Sequence, residues 1–519
     1  MDTAGAERCA TIFSLMVSAH EQGVLMAGSD DGRVHVSNND GGDWTEVTPP
    51  DMEKFTQITM IAESPHVAGT VYMSAARHKS GDYGAYLWKS TDLGDSWTRI
   101  DDGIPENDFC RVVREDPERL GLLYVGTERG IFVSFDDGGS WQPLQCNLPV
   151  SPVYDLVVKD TDLVVATHGR SFWILDDLTQ IHQIHDDLKG ADRFLFKPRT
   201  TVRTPPDLFG SFWGTPGGKN YHVTIGQNAT YYVDEHDTGH QTRRMLDAGQ
   251  DLDRGVRITY LLDEPAGDGA TLTITDADGK EVGSFSSEIP DEKKDRDGLY
   301  ITADAGMNSF EWPMTGRRGE KMIDTEFHMR PDGPLVPPGT YTATLTVGEW
   351  SMSQDFDLVK DPRVTISDGD LVEQYELMSE IRDKLSETAT AVNSIRKIRK
   401  RVDDWKTRLA DDEAASDVLA GADAVMERLT AIEHELVQVE FTGDGDSLNY
   451  REMLFEKLTG LAPIVSSADA RPTKQSHAVF AKLAGQIDEQ LGALSGTLES
   501  DLIPLNQQLA DFGVDIIGT

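Results

Sequence analysis

A repeated eight-residue motif constrains this chain more than any other feature of its sequence. The motif, Ser-x-Asp/Asn-x-Gly-x-x-Trp, occurs at residues 37–44, 90–97 and 134–141, and we call it the Asp box. Its tryptophans stand 53 and 44 residues apart, and a repeat of roughly 40–50 residues is typical of a four-stranded propeller blade. The spacing therefore predicts that the N-terminal third of the chain is built from β-propeller blades.

The segments that precede the boxes share a second pattern. Each reads as an apolar strand, a small polar turn and another apolar strand, and the same pattern recurs at residues 163–175 without a box. We therefore predict a partial propeller of about four blades, at about residues 11–48, 55–100, 108–145 and 151–181.

Each box position has a physical role that predicts a structural rather than a catalytic function. The carboxylate or amide can accept backbone N–H groups in a tight turn, glycine supplies a positive φ, and tryptophan fills an apolar gap. The predicted structural residues are Ser37, Asn39, Gly41, Trp44, Ser90, Asp92, Gly94, Trp97, Ser134, Asp136, Gly138 and Trp141.

The remainder of the chain changes character twice after the blades, which we assign to residues 1–189. Residues 190–252 are a connector rich in proline, glycine and aromatic residues, in which we expect little regular structure. Residues 253–364 alternate as an immunoglobulin-like β-sandwich does, and residues 365–519 carry apolar stripes at helical spacing, as in a helical bundle. The predicted fold class is mainly β with a C-terminal all-α part.

Charge limits the partners that this chain can have. It holds 89 acidic and 48 basic residues, which gives a formal net charge of −41 spread over all segments. Such a composition is typical of halophilic proteins, and it disfavours nucleic acid and anionic membranes because both would be repelled. The one dense basic run, residues 396–401, is expected to pair with acidic side chains of a neighbouring helix.

Targeting and cofactor signals are weak. No signal peptide or transmembrane run is found, so the chain as encoded is expected in the cytoplasm. The first strand begins abruptly near residue 11, however, and if upstream sequence is missing the location could be extracellular. Three cysteines form no disulfide framework and no metal-ligand spacing, so we predict neither a metal nor a cofactor.

Together with the boxes, residues 166–177, 334–341 and 381–388 resemble a known family. The chain is similar to the C-terminal half of BNR/Asp-box repeat proteins, which are related to sortilin-type VPS10 propellers and commonly labelled glycosyl hydrolases. The resemblance implies propeller blades, a sandwich and helices in this order. It does not imply a particular reaction.

Chemistry is expected in the loops opposite the boxes, where carboxylates from different blades approach one rim. A glycosidase needs two carboxylates about 5–10 Å apart, and the candidates here are Asp30 or Asp31 with Glu128. The alternative is that these short acidic turns are solvated surface.

Basic and imidazole side chains in the same loops are candidates for ligand binding. They are Arg77, His78, Arg129, His168 and Arg170. The three arginines stand at corresponding loop positions, as in a sialidase, but no glutamate marks a partner for the nearby Tyr83, which disfavours that activity.

Two functions from different classes remain open. The first is a non-catalytic scaffold that binds a glycan or a peptide through the propeller loops. The alternative is a glycoside hydrolase that uses Asp30, Asp31, Asp82 and Glu128 or carboxylates of missing blades. A further hypothesis is that another copy or a second subunit completes the propeller ring.

Overall fold

A computed structural model describes residues 10–185, 188, 190–204, 214–224, 227–247, 249, 254–291, 298–325, 328, 330–441 and 445–511. The protein is mainly β with a C-terminal helical part. It divides into two compact units, Met1–Ala191 and Asp192–Thr519.

The first unit contains four antiparallel sheets, each formed by strands that follow one another along the chain. Short hairpins join the strands, which is why each sheet is a simple meander. The first sheet comprises β1 Ile12–Val17, β2 Leu25–Ser29, β3 Val34–Ser37 and β4 Thr45–Glu46; the second, β5 Gln57–Glu63, β6 Val71–Arg77, β7 Asp82–Ser90 and β8 Thr98–Arg99; the third, β9 Cys110–Glu115, β10 Leu123–Thr127, β11 Ile131–Ser134 and β12 Gln142–Pro143; the fourth, β13 Val153–Lys159, β14 Asp162–Thr167 and β15 Phe172–Leu175. A short helix, α1 Thr179–His182, follows.

These sheets stack face to face in chain order. The first strand of each sheet contacts the first strand of the next, so β1 packs on β5, β5 on β9 and β9 on β13. Every gap is filled by one apolar cluster drawn from the two sheets that border it. Stacking of this kind is the way in which propeller blades bury their faces.

A β-bulge interrupts the first strand of each of the four sheets in the first unit. The pairing register shifts there, and one residue of the strand has no opposite partner. Bulges re-aim a side chain and are common near binding sites. The four bulge residues are Phe13, Thr59, Arg111 and Tyr154.

The Asp boxes form the turns between the third and fourth strands. In the second box, Ser90 Oγ donates to Asp92 Oδ1 (2.7 Å) and accepts from Gly94 N (2.8 Å). Asp92 Oδ1 in turn accepts from Ser96 N at 2.9 Å. The first and third boxes repeat these contacts, and the three box glycines have φ values of 84°, 95° and 86°.

Box tryptophans join neighbouring sheets. Trp97 Nε1 donates to the Val47 carbonyl at 2.7 Å, and Trp141 Nε1 donates to the Ile100 carbonyl at 2.5 Å. Both acceptors belong to the segment that follows the fourth strand of the preceding sheet. Trp44 instead donates to Gly41 in its own turn at 3.1 Å.

The second unit begins with a β-rich part. Two of its sheets, in the orders β16-β21-β24 and β17-β26-β25-β22-β23, share one apolar core. Among the described strands of this unit, every pairing is antiparallel except the parallel β17–β26 pair, and β18, β19 and β20 form a separate meander. The strands are β16 Arg193–Leu195, β17 Thr201–Arg203, β18 Lys219–Thr224, β19 Gln227–Glu235, β20 Gln241–Met245, β21 Val256–Leu262, β22 Thr271–Asp276, β23 Glu281–Ser286, β24 Gly306–Trp312, β25 Gly339–Val347 and β26 Trp350–Lys360.

The segment 190–252 contains more regular structure than its composition predicted. β16 and β17 each pair with a strand of the two sheets that share this apolar core, and β18–β20 pair as hairpins. Strong turn residues between short strands hid the local alternation, since proline and glycine bound these strands as well as loops.

The chain ends in helices that surround one apolar core. They are α2 Asp368–Leu409, α3 Ser416–Leu436, α4 Leu454–Val465, α5 Lys474–Thr497 and α6 Ile503–Asp511. Ser367 caps α2 in a capping box with Asp370. No described helix is both long and apolar enough to cross a membrane.

The basic run 396–401 is paired as its position on the helix predicted. Arg396 and Arg399 of α2 both form ion pairs with the buried Glu433 of α3. The apolar residues of the same stretch, Ile395 and Ile398, are buried in the core.

Candidate binding site

The loops between the second and third strands lie at the edge opposite the Asp boxes, because successive strands of a meander run in opposite directions. Backbone hydrogen bonds hold three of these loops in the same way. The amide of Asp30 donates to the Thr11 carbonyl at 3.0 Å, and that of His168 donates to Pro152 at 2.8 Å. Glu128 makes the same bond to the residue before β9, so Asp30, Glu128 and His168 occupy equivalent positions.

Five side chains at this edge form a continuous stack across three sheets, which we call the stacked row. His78 stacks on Phe109 with ring centroids 4.6 Å apart. The guanidinium of Arg111 lies 4.9 Å from the Phe109 ring centroid and 4.1 Å from that of Tyr154. His168 completes the row on Tyr154, at 4.9 Å.

Two further aromatic side chains extend this surface. Tyr83 is exposed and tilts against Phe109 at 6.3 Å. Phe13, the bulge residue of β1, is exposed beside the ammonium of Lys79, which lies 5.7 Å from its ring centroid. Exposed rings next to cations combine apolar contact area with polar groups, which suits recognition of an amphipathic ligand.

Glu128 holds the cation at the centre of the stacked row. Arg111 donates from Nε to Glu128 Oε2 at 2.8 Å and also from Nη2 to the same oxygen. A guanidinium held by a carboxylate and sandwiched between two rings has little rotational freedom. The site is therefore preorganised rather than assembled from mobile surface side chains.

Two buried polar atoms in this cluster have no hydrogen-bond partner within the described part of the chain: His78 Nδ1 and Asp108 Oδ1. Buried polar atoms are nearly always hydrogen-bonded. Burial lowers the pKa of His78, and the positive charges of Arg111 and Lys79 lower it further. Burial raises the pKa of Asp108, which is only 2% exposed.

Arg77, a sequence-predicted ligand residue, is engaged within the protein. Its guanidinium forms ion pairs with Glu53 and, at 3.7 Å, with Asp82. Tyr86 donates to Asp82 at 2.6 Å, and this hydrogen bond lowers the pKa of Asp82. These contacts fix the loop that carries His78.

The sequence-predicted catalytic carboxylates are also engaged in their own loops. Asp30 Oδ1 accepts the Thr11 amide at 2.9 Å, while Asp31 accepts from Ser29 Oγ and lies 3.6 Å from Arg33. Asp30 and Asp31 belong to the first sheet, whereas Glu128 belongs to the third and pairs with Arg111.

Arg129 and Arg170 lie in the loops of the third and fourth sheets and are exposed. Arg170 Nη1 donates to the Gly169 carbonyl of its own loop at 3.1 Å. Among the described residues, neither guanidinium stacks on a ring of the stacked row.

Sequence reasoning missed Phe109, Arg111 and Tyr154, although a signal for them existed. In the first strands, two buried residues that face the preceding sheet are three positions apart instead of the two positions of a regular strand. Cys110 and Val113 are such a pair, and both are buried. This break in alternation marks a bulge. The residue that follows the first of these two buried residues is the bulge residue, as Arg111 follows Cys110 and Tyr154 follows Val153.

Comparison with known proteins adds little to this description. No protein-family model matches the chain, and no curated protein sequence matches it. Among solved structures, the Raptor protein of Chaetomium thermophilum is 14% identical with a TM-score of 0.24, over 32% of this chain and 15% of that one. YCF48 bound to a D1 peptide is 13% identical with a TM-score of 0.25, over 58% of this chain and 93% of that one.

A GH74 xyloglucanase of Xanthomonas campestris is 14% identical with a TM-score of 0.27. That similarity covers 67% of this chain and 54% of the xyloglucanase, so the chain spans only about half of that enzyme. TM-scores this low do not establish equivalent structures.

Proposed function

We propose that the first unit is an Asp-box β-propeller portion that binds a glycan along the stacked row. The observation that carries this proposal is the continuous stack from His78 to His168, which crosses three sheets and leaves the rings of Tyr83 and Tyr154 exposed. An elongated, rigid and partly aromatic surface fits an extended ligand better than a compact one.

A sugar chain satisfies both chemical features of this surface. The apolar face of a pyranose ring packs on an aromatic ring, and its hydroxyls can donate to or accept from imidazole, guanidinium and carboxylate groups. The net charge of −41 disfavours a polyanionic glycan. A neutral oligosaccharide is therefore the ligand class that we propose, with an extended peptide as the competing ligand.

Binding is favoured over hydrolysis because the carboxylates here have other partners. Glu128 is held by Arg111, and Asp108 is too buried to touch a ligand at the loop surface. Both standard mechanisms of glycoside hydrolysis need two carboxyl groups that reach the scissile bond.

One observation nevertheless supports a glycoside hydrolase as the second candidate. Burial raises the pKa of Asp108, and the negative charge of Glu128 contributes to the same shift. A carboxyl group whose pKa is raised by burial is suited to act as a general acid.

Binding is tested by titrating neutral oligosaccharides, with extended peptides in parallel, into the full chain in molar KCl by calorimetry. Tyr83→Ala is expected to weaken binding up to about tenfold, since its exposed ring can pack on a sugar and such an aromatic contact contributes about 0.5–1.5 kcal/mol. Tyr221→Ala, at an exposed tyrosine of the second unit, is the matched control and leaves affinity unchanged. Saturable peptide binding without glycan binding, or no saturable binding, would overturn the proposal.

Hydrolysis is tested on aryl-glycosides and polysaccharides with the same preparations. We expect no turnover. Turnover that Glu128→Gln abolishes and Asp136→Asn preserves would replace the binding function with the enzymatic one, because Asp136 lies in a box at the other edge.

A further inference from the structure

The two outermost sheets of the first unit each expose an apolar face. We call the face of a sheet that points away from the next sheet along the chain its leading face. On the first sheet, the leading face consists of Ile12, Leu15 and Val17 of β1. The opposite face of a sheet, which points away from the preceding sheet, is its trailing face. On the fourth sheet, the trailing face consists of Val157 of β13 with Phe172 and Ile174 of β15. Contiguous exposed apolar residues on sheet faces mark interaction surfaces.

Leading-face positions are buried wherever another sheet precedes them. The bulges align the first strands, so that Leu15 corresponds to Ile61, Val113 and Leu156. Those three are 2%, 0% and 1% exposed, whereas Leu15 is 60% exposed. In the part of the chain that the structure describes, the first sheet therefore carries the apolar side chain of an inter-sheet contact, but no sheet packs on it.

Trailing-face positions show the same contrast. Phe172 lies opposite Ala166, as Val34 lies opposite Gly28 and Ile131 opposite Gly126 in their sheets. Val34 and Ile131 are 0% and 4% exposed, because the following sheet covers them, but Phe172 is 76% exposed.

Close approach of a following sheet requires a small residue on each second strand. A Cβ atom at Gly28 would lie 2.4 Å from Ile58 Cγ2, and one at Gly126 would lie 2.5 Å from Val153 Cγ1. The fourth sheet has Ala166 at this position, and the second sheet already accommodates a Cβ atom there, since Ser74 lies opposite Met60 and is 0% exposed.

Trp44 provides an independent observation at the leading face. Its counterparts Trp97 and Trp141 donate to carbonyls of the preceding sheet, while the indole of Trp44 bonds within its own turn and is 42% exposed. The exposure of the two faces and the position of Trp44 indicate that, among the described residues, neither outer sheet face has the neighbouring sheet that covers its equivalents.

We propose that a second copy of this chain docks head to tail, with the trailing face of one copy on the leading face of the other. The contact continues the inter-sheet packing already present three times in the unit, at equivalent positions and with apolar side chains on both faces. Each copy carries one face of each kind, so a reciprocal second contact closes the pair into a ring. Two copies contribute eight sheets, within the usual range of about 4–8 blades.

Ionic strength governs this association. Each copy carries a net charge of −41, so repulsion at low salt opposes docking, and screening in molar KCl removes most of it. The ring is expected in molar salt and is expected to dissociate on dilution of the salt.

Sedimentation velocity in molar KCl tests the proposal with one variant for each face. The full-length wild-type chain sediments as a dimer, and Leu15→Asp and Phe172→Asp each sediment as monomers. Mixing the two variants restores a dimer, because one copy retains an intact trailing face and the other an intact leading face. Leu120→Asp, at an equally exposed leucine of the β9–β10 hairpin, is the control that leaves the dimer intact.

Circular dichroism melts establish that the variants fold, and Leu15→Gln and Phe172→Gln replace any that do not. A monomeric wild type, a dimer that survives both substitutions, or a mixture that stays monomeric would overturn head-to-tail docking. A ladder of open polymers would overturn the closed ring, because a heterologous contact that does not close continues indefinitely.

Discussion

The two edges of the first unit are made by the same strands but are built differently. At the box edge, three turns repeat one set of serine, aspartate or asparagine, and glycine contacts. At the opposite edge, equivalent loop positions hold Asp30, Glu128 and His168, with different partners in each sheet. Repetition marks the residues that hold the sheets together, and divergence marks the residues that are available for a ligand.

The largest expected effect concerns the box edge. Trp141→Ala removes a buried ring and its bond to Ile100, and it should lower the free energy of unfolding by about 3–5 kcal/mol. Trp44→Ala removes an exposed ring and should cost less than half as much. Denaturant unfolding in constant salt measures both, and equal losses would show that the box tryptophans do not act through the preceding sheet.

A smaller effect should separate binding from stability at the loop edge. Arg111→Lys loses the paired bonds to Glu128 and the planar contact with two rings, so glycan affinity should fall about tenfold. The melting temperature should change less than the affinity, because lysine keeps a positive charge beside Glu128. Arg33→Lys is the control, since Arg33 also faces a loop carboxylate but contacts no ring of the row. Equal affinity losses in the two variants would remove Arg111 from the site.

The smallest effect is the pH dependence of a box. Hydrogen bonds from Ser96 lower the pKa of Asp92 below its ordinary value of 3.8. The folded state thus favours the carboxylate, and this stabilisation is present above pH 3.8 and is lost as the pH falls through the lower folded-state value.

Asp92→Asn should therefore flatten the decline in stability below about pH 4, while it preserves the turn as Asn39 does in the first box. Acid unfolding followed by circular dichroism measures the slope. A slope identical to that of the wild type would show that Asp92 does not contribute to acid sensitivity.

Much of the architecture was predictable because its determinants are local or periodic. The boxes are complete within eight residues, and the apolar stripe of α2 predicted that Ile395 and Ile398 face the core while the adjacent arginines pair with α3. Mixed signals were less informative. In residues 190–252 the turn residues obscured five described short strands. Composition averaged over about sixty residues conceals the alternation of apolar and polar residues within a single short strand.

The sequence by itself determined the box turns, the mainly β character and the helical end, because hydrogen bonds and apolar spacing within a few residues specify them. Only the tertiary structure decided which side chains meet at the opposite edge. Arg111 and Tyr154 become neighbours because bulges in separate strands turn them to one side when the sheets stack, and Phe109, just before β9, packs on the other side of the Arg111 guanidinium. It also decided that Leu15 and Phe172, apolar like their buried equivalents, are left exposed, since burial depends on the neighbouring sheet and not on the residue.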